Sequence, residues 1–459
     1  MLQFSADSKT RAPKNTFAFL AAGVALAACA GSSDMGTAPP VALSSAALSV
    51  PALTDFGEQC KLINNLHLDD PTLNNTHLHY NLRATDLGIP VAHGNDLFVF
   101  FGDSAGYRVI WPLGPESLPD AVGYAGVPAS EVAANPAMLC DNLKFLHLAP
   151  ENSIGPQYGL ESDFAAQWMN PPAGQPISNF VKNPAGPRGA NAFPNLPGDF
   201  EVPSGAFSHN GNIYVFYTTV QTNPLEMKGS YLAKWTAPTT SSMPAYQVLY
   251  QVDQRFNSNG QMKGRFINIA PVVSGAYVYL FGTGQYRQSN VYLGRKALAT
   301  LETAGGYETY DPSKNRWVSS STTVAGIVTK VGLETAKIGE LSVRFFPTLN
   351  RWVMMDEEIT SLTGNRIVAR FADAPTGPWS QPVKVARMED TAFRTPYCCA
   401  GGDPNVCEGN EIIHCDRAGF YAPYMLPSPI INGDGSFTVS FTMSTWDPYN
   451  VALMYATFR

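Results

Sequence analysis

Five times along this chain a short apolar stretch leads through a turn rich in Asn, Gly or Asp into a second stretch of alternating aromatic and aliphatic residues. The second stretches read Leu97-Phe98-Val99-Phe100-Phe101, Ile213-Tyr214-Val215-Phe216-Tyr217, Tyr277-Val278-Tyr279-Leu280-Phe281, Trp352-Val353-Met354-Met355 and Phe437-Thr438-Val439-Ser440-Phe441. Turns such as His209-Asn210-Gly211-Asn212 and Asn432-Gly433-Asp434-Gly435 precede them, which is how antiparallel hairpins are made. Another strand candidate follows most copies, at 231–235, 291–295, 367–371 and 451–458. Three or four strands per unit, repeated at intervals of several tens of residues, predict an all-β fold: a five-bladed β-propeller with irregular blades and long loops. The unequal repeats leave a β-sandwich with long insertions as the alternative. Two stretches rich in Pro and Gly, 112–137 and 170–200, read as loops decorating one face.

The start of the chain is of a different kind. Lys9, Arg11 and Lys14 are followed by an uncharged run from Phe17 to Ala28 that ends in Leu26-Ala27-Ala28-Cys29. A basic start, an apolar run too short to span a bilayer, and small residues before a cysteine read as the signal of an exported lipoprotein. The expectation is a signal peptide over 1–28, a lipidated Cys29 opening a flexible tether over 29–59, and a propeller domain over 60–459. Residues 30–59 are rich in Ala, Ser, Pro and Gly and carry few charges, a composition that cannot bury enough apolar surface to fold alone. Two acyl chains on Cys29 would hold the protein to a membrane through the lipid only. In a bacterium with two membranes, Ala30 rather than Asp after the cysteine points to the outer one.

Residues 1–28 carry three basic and one acidic side chain, so 27 basic and 36 acidic residues remain, for a net charge of −9. That balance excludes nucleic acid as a natural partner. A monomer is expected. Beyond Cys29 six cysteines remain: Cys60, Cys140, Cys398, Cys399, Cys407 and Cys415. An even number in an exported protein suggests disulfides, with the connectivity open. Zinc bound by the last four with His414 is the competing reading, and it lacks a paired Cys-x-x-Cys. His77 and His79 share a face if their segment is a strand, but such histidines are mostly packed or solvated. No cofactor is expected, although the acidic loops leave room for a structural calcium.

The first repeat carries the most informative polar residues. If Gly94-Asn95 is a two-residue hairpin turn, His93 faces Asp96 and continued pairing sets Asp86 opposite Asp103. Like charges at that position destabilise a sheet. Two coupled carboxylates titrate apart, one held ionised and one held protonated, as acid/base cleavage of a glycosidic bond requires. The plainer alternative is that each aspartate caps a turn or a strand end. Glu201, Arg265 and Glu340 fall at similar depth in the next three repeats, and Tyr421-Ala422-Pro423-Tyr424 in the fifth, where strand starts of a propeller converge on its axis. A solvated loop charge is the simpler reading for Glu201 and Arg265. Carboxylates for chemistry with an arginine and aromatic faces for sugar rings make a saccharide site.

Several segments together carry a family likeness: Thr85-Asp86-Leu87-Gly88 with Phe101-Gly102-Asp103, Gly282-Thr283-Gly284 leading to Tyr286-Arg287, Gly339-Glu340-Leu341-Ser342 with Arg351-Trp352, and Tyr421-Ala422-Pro423-Tyr424 with Met443 to Asn450. Over most of residues 75–459 the chain resembles the family called domain of unknown function 4185. Some members of that family are classed as glycoside hydrolase family 183, endo-acting D-arabinanases. The resemblance implies a five-bladed propeller whose first blade carries an acidic pair, here Asp86 and Asp103. The Cys-rich stretch 398–415 and the long segment between the first two repeats depart from the pattern, and family likeness does not transfer substrate. The expectation is a glycoside hydrolase of arabinan-type, furanoside-containing polysaccharide at the cell envelope. Asp86 and Asp103 are its candidate catalytic pair, Glu340 a third acid, and Arg265, Arg287, Tyr424 and Trp446 its substrate contacts. The alternative is a propeller of the same fold that binds glycan without cutting it.

Overall fold

The computed structural model describes residues 50–63, 82–110, 114–118, 120–146, 200–222, 224–241, 246–254, 264–320, 324–328, 337–359, 365–387, 398–399, 413–414, 419–446 and 450–459, with a few single positions besides. The expected signal peptide, Cys29 and the tether up to residue 49 lie outside the described residues, as do His77, His79, Cys407 and Cys415. Cys398, Cys399 and His414 are described as backbone only, in a short parallel pair of strands. Among the described residues no helix is long and apolar enough to cross a membrane.

Five antiparallel sheets form the five blades. From the innermost strand outward, blade 1 is Leu87–His93, Asp96–Phe101, Val122–Ala125 and Leu143–Phe145; blade 2 is Phe200–His209, Asn212–Thr222, Leu225–Thr236 and Tyr246–Gln254. Blade 3 has five strands, Asn268–Ser274, Tyr277–Thr283, Tyr292–Ala297, Glu308–Asp311 and Arg316–Ser319. Blade 4 is Ile338–Phe346, Arg351–Glu358, Arg366–Ala372 and Val383–Arg387. Blade 5 is Gly419–Met425, Phe437–Trp446 and Asn450–Phe458, and its outermost strand is Leu53–Lys61 from the other end of the chain. The innermost strands pack on one another in a closed ring, blade 5 against blade 1 included. The chain is a five-bladed propeller; a sandwich would leave two sheets face to face instead of five around an axis.

Each blade is covered on both sides by its neighbours, and the second strands show why that works. All five residues from Leu97 to Phe101 are buried, so an unbroken apolar run suits a strand with no solvent face. Between blades 1 and 2, Trp235 meets Phe98 with ring centroids 5.2 Å apart and Phe100 at 6.5 Å. Between blades 3 and 4, Phe281 packs on Trp352 at 6.0 Å and Trp379 at 5.7 Å. Between blades 4 and 5, Phe371 packs on Phe458 at 5.3 Å. Such edge-on and tilted pairs contribute beyond the area they bury.

Two expectations need correction. Residues 53–59, read as tether, are most of the strand that completes blade 5: Leu53 pairs with Phe458 and Lys61 with Ala452. The stretch 112–137, read as loop, contains the third strand of blade 1 and a short helix, Ala129–Ala134. Arg344 on the innermost strand of blade 4 joins three blades across the axis, donating to the carbonyl of Pro90 at 2.7 Å and to that of Met425 at 3.1 and 3.2 Å.

A disulfide joins Cys60, on the closing strand, to Cys140, in the helix Met138–Asn142 of blade 1. It spans 80 residues of sequence, so it restricts the unfolded chain strongly, and its loss should cost about 2–4 kcal/mol. The expected outcome for Cys60→Ser with Cys140→Ser is a cooperative unfolding transition at lower denaturant, with a slope steeper than that of wild type because the uncrosslinked unfolded chain exposes more surface. Wild type held under reductant should match the double variant.

Candidate active site

The innermost strands all start at the same end of the propeller, and the acidic side chains gather there. In blade 1 the pairing runs regularly from His93 opposite Asp96 to Ile89 opposite Phe100, then a bulge sets Leu87 opposite Phe101. Leu87 and Gly88 take positive φ values of 65° and 88° to make it, a cost that a non-glycine residue bears only when its surroundings fix it. Blade 5 supplies that fixing: the Leu87 amide donates to Ser444 Oγ at 2.7 Å and Thr442 Oγ1 donates to the Gly88 carbonyl at 2.7 Å.

The bulge moves Asp86 by one residue from its expected place. It faces Gly102, whose amide donates to the Asp86 carbonyl at 3.0 Å. A Cβ at position 102 would collide with Asp86 Oδ1, so glycine there makes room for the carboxylate. Asp103 is therefore not opposite Asp86, where the regular register would set it; it is the residue after Gly102. On Asp86 the other oxygen, Oδ2, accepts a hydrogen bond from the Tyr421 hydroxyl at 2.8 Å.

Burial pushes the Asp103 carboxyl up to about 6. Beside it is a residue that nothing in the sequence singled out. Asp120 is buried, its Oδ2 has no hydrogen-bond partner among the described residues, and its carboxyl is held well above the ordinary range by burial and then by the charges of Asp103, Asp86 and Glu201. Glu201, read as a solvated loop charge, is only 2% exposed, on the innermost strand of blade 2. Blades 1 and 2 therefore bring three carboxyl groups, Asp103, Asp86 and Glu201, within electrostatic reach of Asp120.

The opposite side of the mouth is organised by Arg287, in the turn after the second strand of blade 3, at a φ of 52°. Its Nη2 lies 3.2 Å from Glu340 Oε2 and its Nε 3.5 Å from Glu357 Oε2. The guanidinium also lies over the rings of Tyr286 and Tyr421, 4.9 and 5.0 Å from their centroids, a cation–π arrangement. Burial alone would lower its pKa, but Glu340 and Glu357 outweigh burial and hold it above its ordinary value. Burial, with Glu340 and Asp86 nearby, raises the Tyr424 hydroxyl well above its usual range. That hydroxyl and Asn268 Oδ1 are buried without hydrogen-bond partners among the described residues.

Of the sequence-predicted residues, Asp86, Asp103, Glu340, Arg287 and Tyr424 meet at this mouth. Arg265 does not join them: its guanidinium donates to the carbonyl of Ser320, beyond the outermost strand of blade 3, because Arg265 precedes the inner strand by three residues. Trp446 ends the second strand of blade 5, paired through its backbone with Gly419, and its side chain is outside the described residues. Asp120, Glu357 and Asn268 are additions. Among the described residues no group of three or more His, Cys, Asp or Glu is placed to hold a metal ion.

Carboxyl groups, one arginine and tyrosines thus share one mouth of the axis of a five-bladed propeller. The chain belongs to the family described as Domain of unknown function (DUF4185), whose profile matches residues 187–455. That match covers blades 2 to 5 up to Tyr455, and Asp86, Asp103 and Asp120 precede it. In fold the chain is similar to a crystal structure from Bacteroides ovatus ATCC 8483, at 12% identity over 85% of this chain and 93% of that one, with a TM-score of 0.48. It is also similar to the catalytic domain of the Coprinopsis cinerea GH62 alpha-L-arabinofuranosidase, at 11% identity over 89% and 98% of the two chains, with a TM-score of 0.41. No curated protein sequence matches it.

The raised Asp103 carboxyl has a consequence for stability. The folded state holds its proton more tightly than the unfolded chain, whose value is near 3.8, so stability falls as pH rises from about 4 to 6 and stays lowered above that. Asp103→Asn removes this partly desolvated ionisable group. The expected outcome is a variant more stable than wild type by about 1–3 kcal/mol at pH 7.5 and no more stable at pH 3.5, measured by thermal unfolding at both pH values.

Proposed function

We propose that this protein is a glycoside hydrolase of furanoside-containing, arabinan-type polysaccharide, with Asp86 and Asp103 as its catalytic pair. The observation that carries this reading is the contrast between two neighbouring carboxyl groups. Asp86 accepts a hydrogen bond from Tyr421, which suits an ionised oxygen. Asp103 is pushed up to about 6 by burial, which suits a group that gives up a proton near neutral pH. Environments that push two carboxyl groups apart assign an acid and its charged counterpart.

In this mechanism Asp103 protonates the leaving glycosidic oxygen as the bond to the anomeric carbon breaks. Asp86 supplies the opposing negative charge to the oxocarbenium-like transition state, and one water is consumed over the cycle. Asp120 holds its proton through burial first and then through the nearby carboxyl groups of Asp103, Asp86 and Glu201. Glu340, paired with Arg287, acts as a third acid that shapes the field at the mouth without transferring the proton. The buried hydroxyl of Tyr424 and the amide oxygen of Asn268 offer partners to substrate hydroxyls, since unmatched buried polar atoms gain most from a ligand that pairs them.

The test is reducing-end release from arabinans and other furanoside polymers by residues 50–459. Asp86→Asn and Asp103→Asn should each lower kcat by about 10³-fold or more, and the wild-type rate should decline with an alkaline limb near pH 6 as Asp103 ionises. Unchanged turnover in both variants would sink the assignment; tight glycan binding with no cleavage by wild type would make the protein a lectin.

We also propose that the chain is held at the cell envelope through a lipid on Cys29, supported by the basic start, the apolar run and the small residues before that cysteine. Cells expressing Cys29→Ser should incorporate no labelled palmitate into this protein and should release it from the membrane fraction.

A further inference from the structure

Glu357 is an acidic residue at this mouth with no assigned task, and its surroundings give it one. It is fully buried on the second strand of blade 4. Its Oε1 accepts a hydrogen bond from Asn365 Nδ2 at 2.6 Å, its Oε2 stands 3.5 Å from Arg287 Nε, and its carboxyl group is within hydrogen-bonding reach of the Glu340 side chain. Gly339, immediately before Glu340, makes the space: a Cβ there would collide with Glu357 Oε2. Glu340 and Glu357 therefore converge on one guanidinium from adjacent strands of the same blade.

The groups facing Glu357 come from four elements. Arg287 and Tyr286 come from the turn of blade 3, Glu340 from the inner strand of blade 4, Asn365 from the turn before its third strand, and Tyr424 from the inner strand of blade 5. Its chain neighbours Asp356 and Glu358 are turned to the other face of the strand, where they hold the buried Arg370 at 3.0 and 3.2 Å. The pocket thus sets two buried carboxyl groups against a single, partly exposed cation. A proton held between two such groups removes their repulsion. Burial, opposed by Arg287 and reinforced by Glu340, holds the Glu357 carboxyl well above its ordinary range.

We propose that Glu357 is a positioning residue that keeps the proton of a carboxyl–carboxylate pair with Glu340, so that Arg287 meets one negative charge and stays over the Tyr421 ring. Tyr421 in turn holds Asp86 through its hydroxyl. The link from Glu357 to the catalytic carboxylate is then two contacts long, through Arg287 and Tyr421. For its effect on turnover, this proposal rests on the glycosidase reading above.

The experiment compares Glu357→Ala with Glu357→Gln, a neutral isostere that can still donate to Glu340 and accept from Asn365. Glu357→Ala should lower kcat about 30-fold with KM changed less than about threefold, and Glu357→Gln should recover most of the loss. The infrared difference spectrum of wild type minus Glu357→Gln at pH 7 should contain the C=O stretch of a protonated carboxylic acid. That readout needs neither turnover nor the alanine variant to fold. Equal losses in a folded glutamine variant and the alanine variant, or a difference spectrum without that band, would overturn the proposal. Absence of cleavage by wild type would instead remove the glycosidase reading and leave the infrared result to decide the shared proton.

Discussion

The seam between the two ends of the chain is the constraint on which the rest depends. Five wedge-shaped sheets close into a ring only if the last one is completed, and here Leu53–Lys61 completes it by pairing along Asn450–Phe458. Without that strand, blade 5 would present the unpaired edge of Asn450–Phe458 to solvent. The seam also builds the acidic mouth. The contacts that hold the blade 1 bulge and orient Asp86 come from Ser444, Thr442 and Tyr421, all on blade 5. Closure of the ring and placement of the carboxylate are one event.

A second theme is how much like charge the mouth concentrates. Asp86, Asp103, Asp120 and Glu201 gather on the blade 1 and 2 side and Glu340 and Glu357 around Arg287 on the blade 4 side, in a region where desolvation favours neutral forms. The fold resolves this by giving the groups different protonation. Burial and nearby carboxyl groups make Asp120 and Glu357 hold their protons more tightly than usual, and burial pushes Asp103 up to about 6. Arg287 then balances what remains on the blade 4 side, and its left-handed backbone is the strain this arrangement stores.

The repeated hairpins were legible because each second strand is buried on both faces and so carries a dense apolar run after a turn signal. Asp86, Glu340, Arg287 and Tyr424 were legible because they sit at a fixed depth before or after those runs. The closing strand was not, since residues 53–59 carry Asp, Gly, Glu and Gln on an outer strand that must stay polar, and so resemble linker. The pairing of Asp86 with Asp103 failed at Gly88, where positive φ introduces a bulge that counting outward from a turn cannot see. Asp120 gave no local signal, because the chain returns to Asp103 only after a small sheet folds back. Glu357 was hidden in the run Asp356-Glu357-Glu358, which looks like a solvated strand end. The available clue was that those charges directly continue the buried stretch Trp352 to Met355.

The direction of the closing strand matters mechanically. Leu53 lies at the Phe458 end, away from the acidic mouth, and Lys61 at the end near Ala452. The N-terminal end of this strand is therefore at the face opposite the mouth. A pull from that side acts along the strand and perpendicular to its ladder hydrogen bonds. They are then loaded together in shear, with the disulfide at Cys60 behind them, and are not peeled apart one at a time.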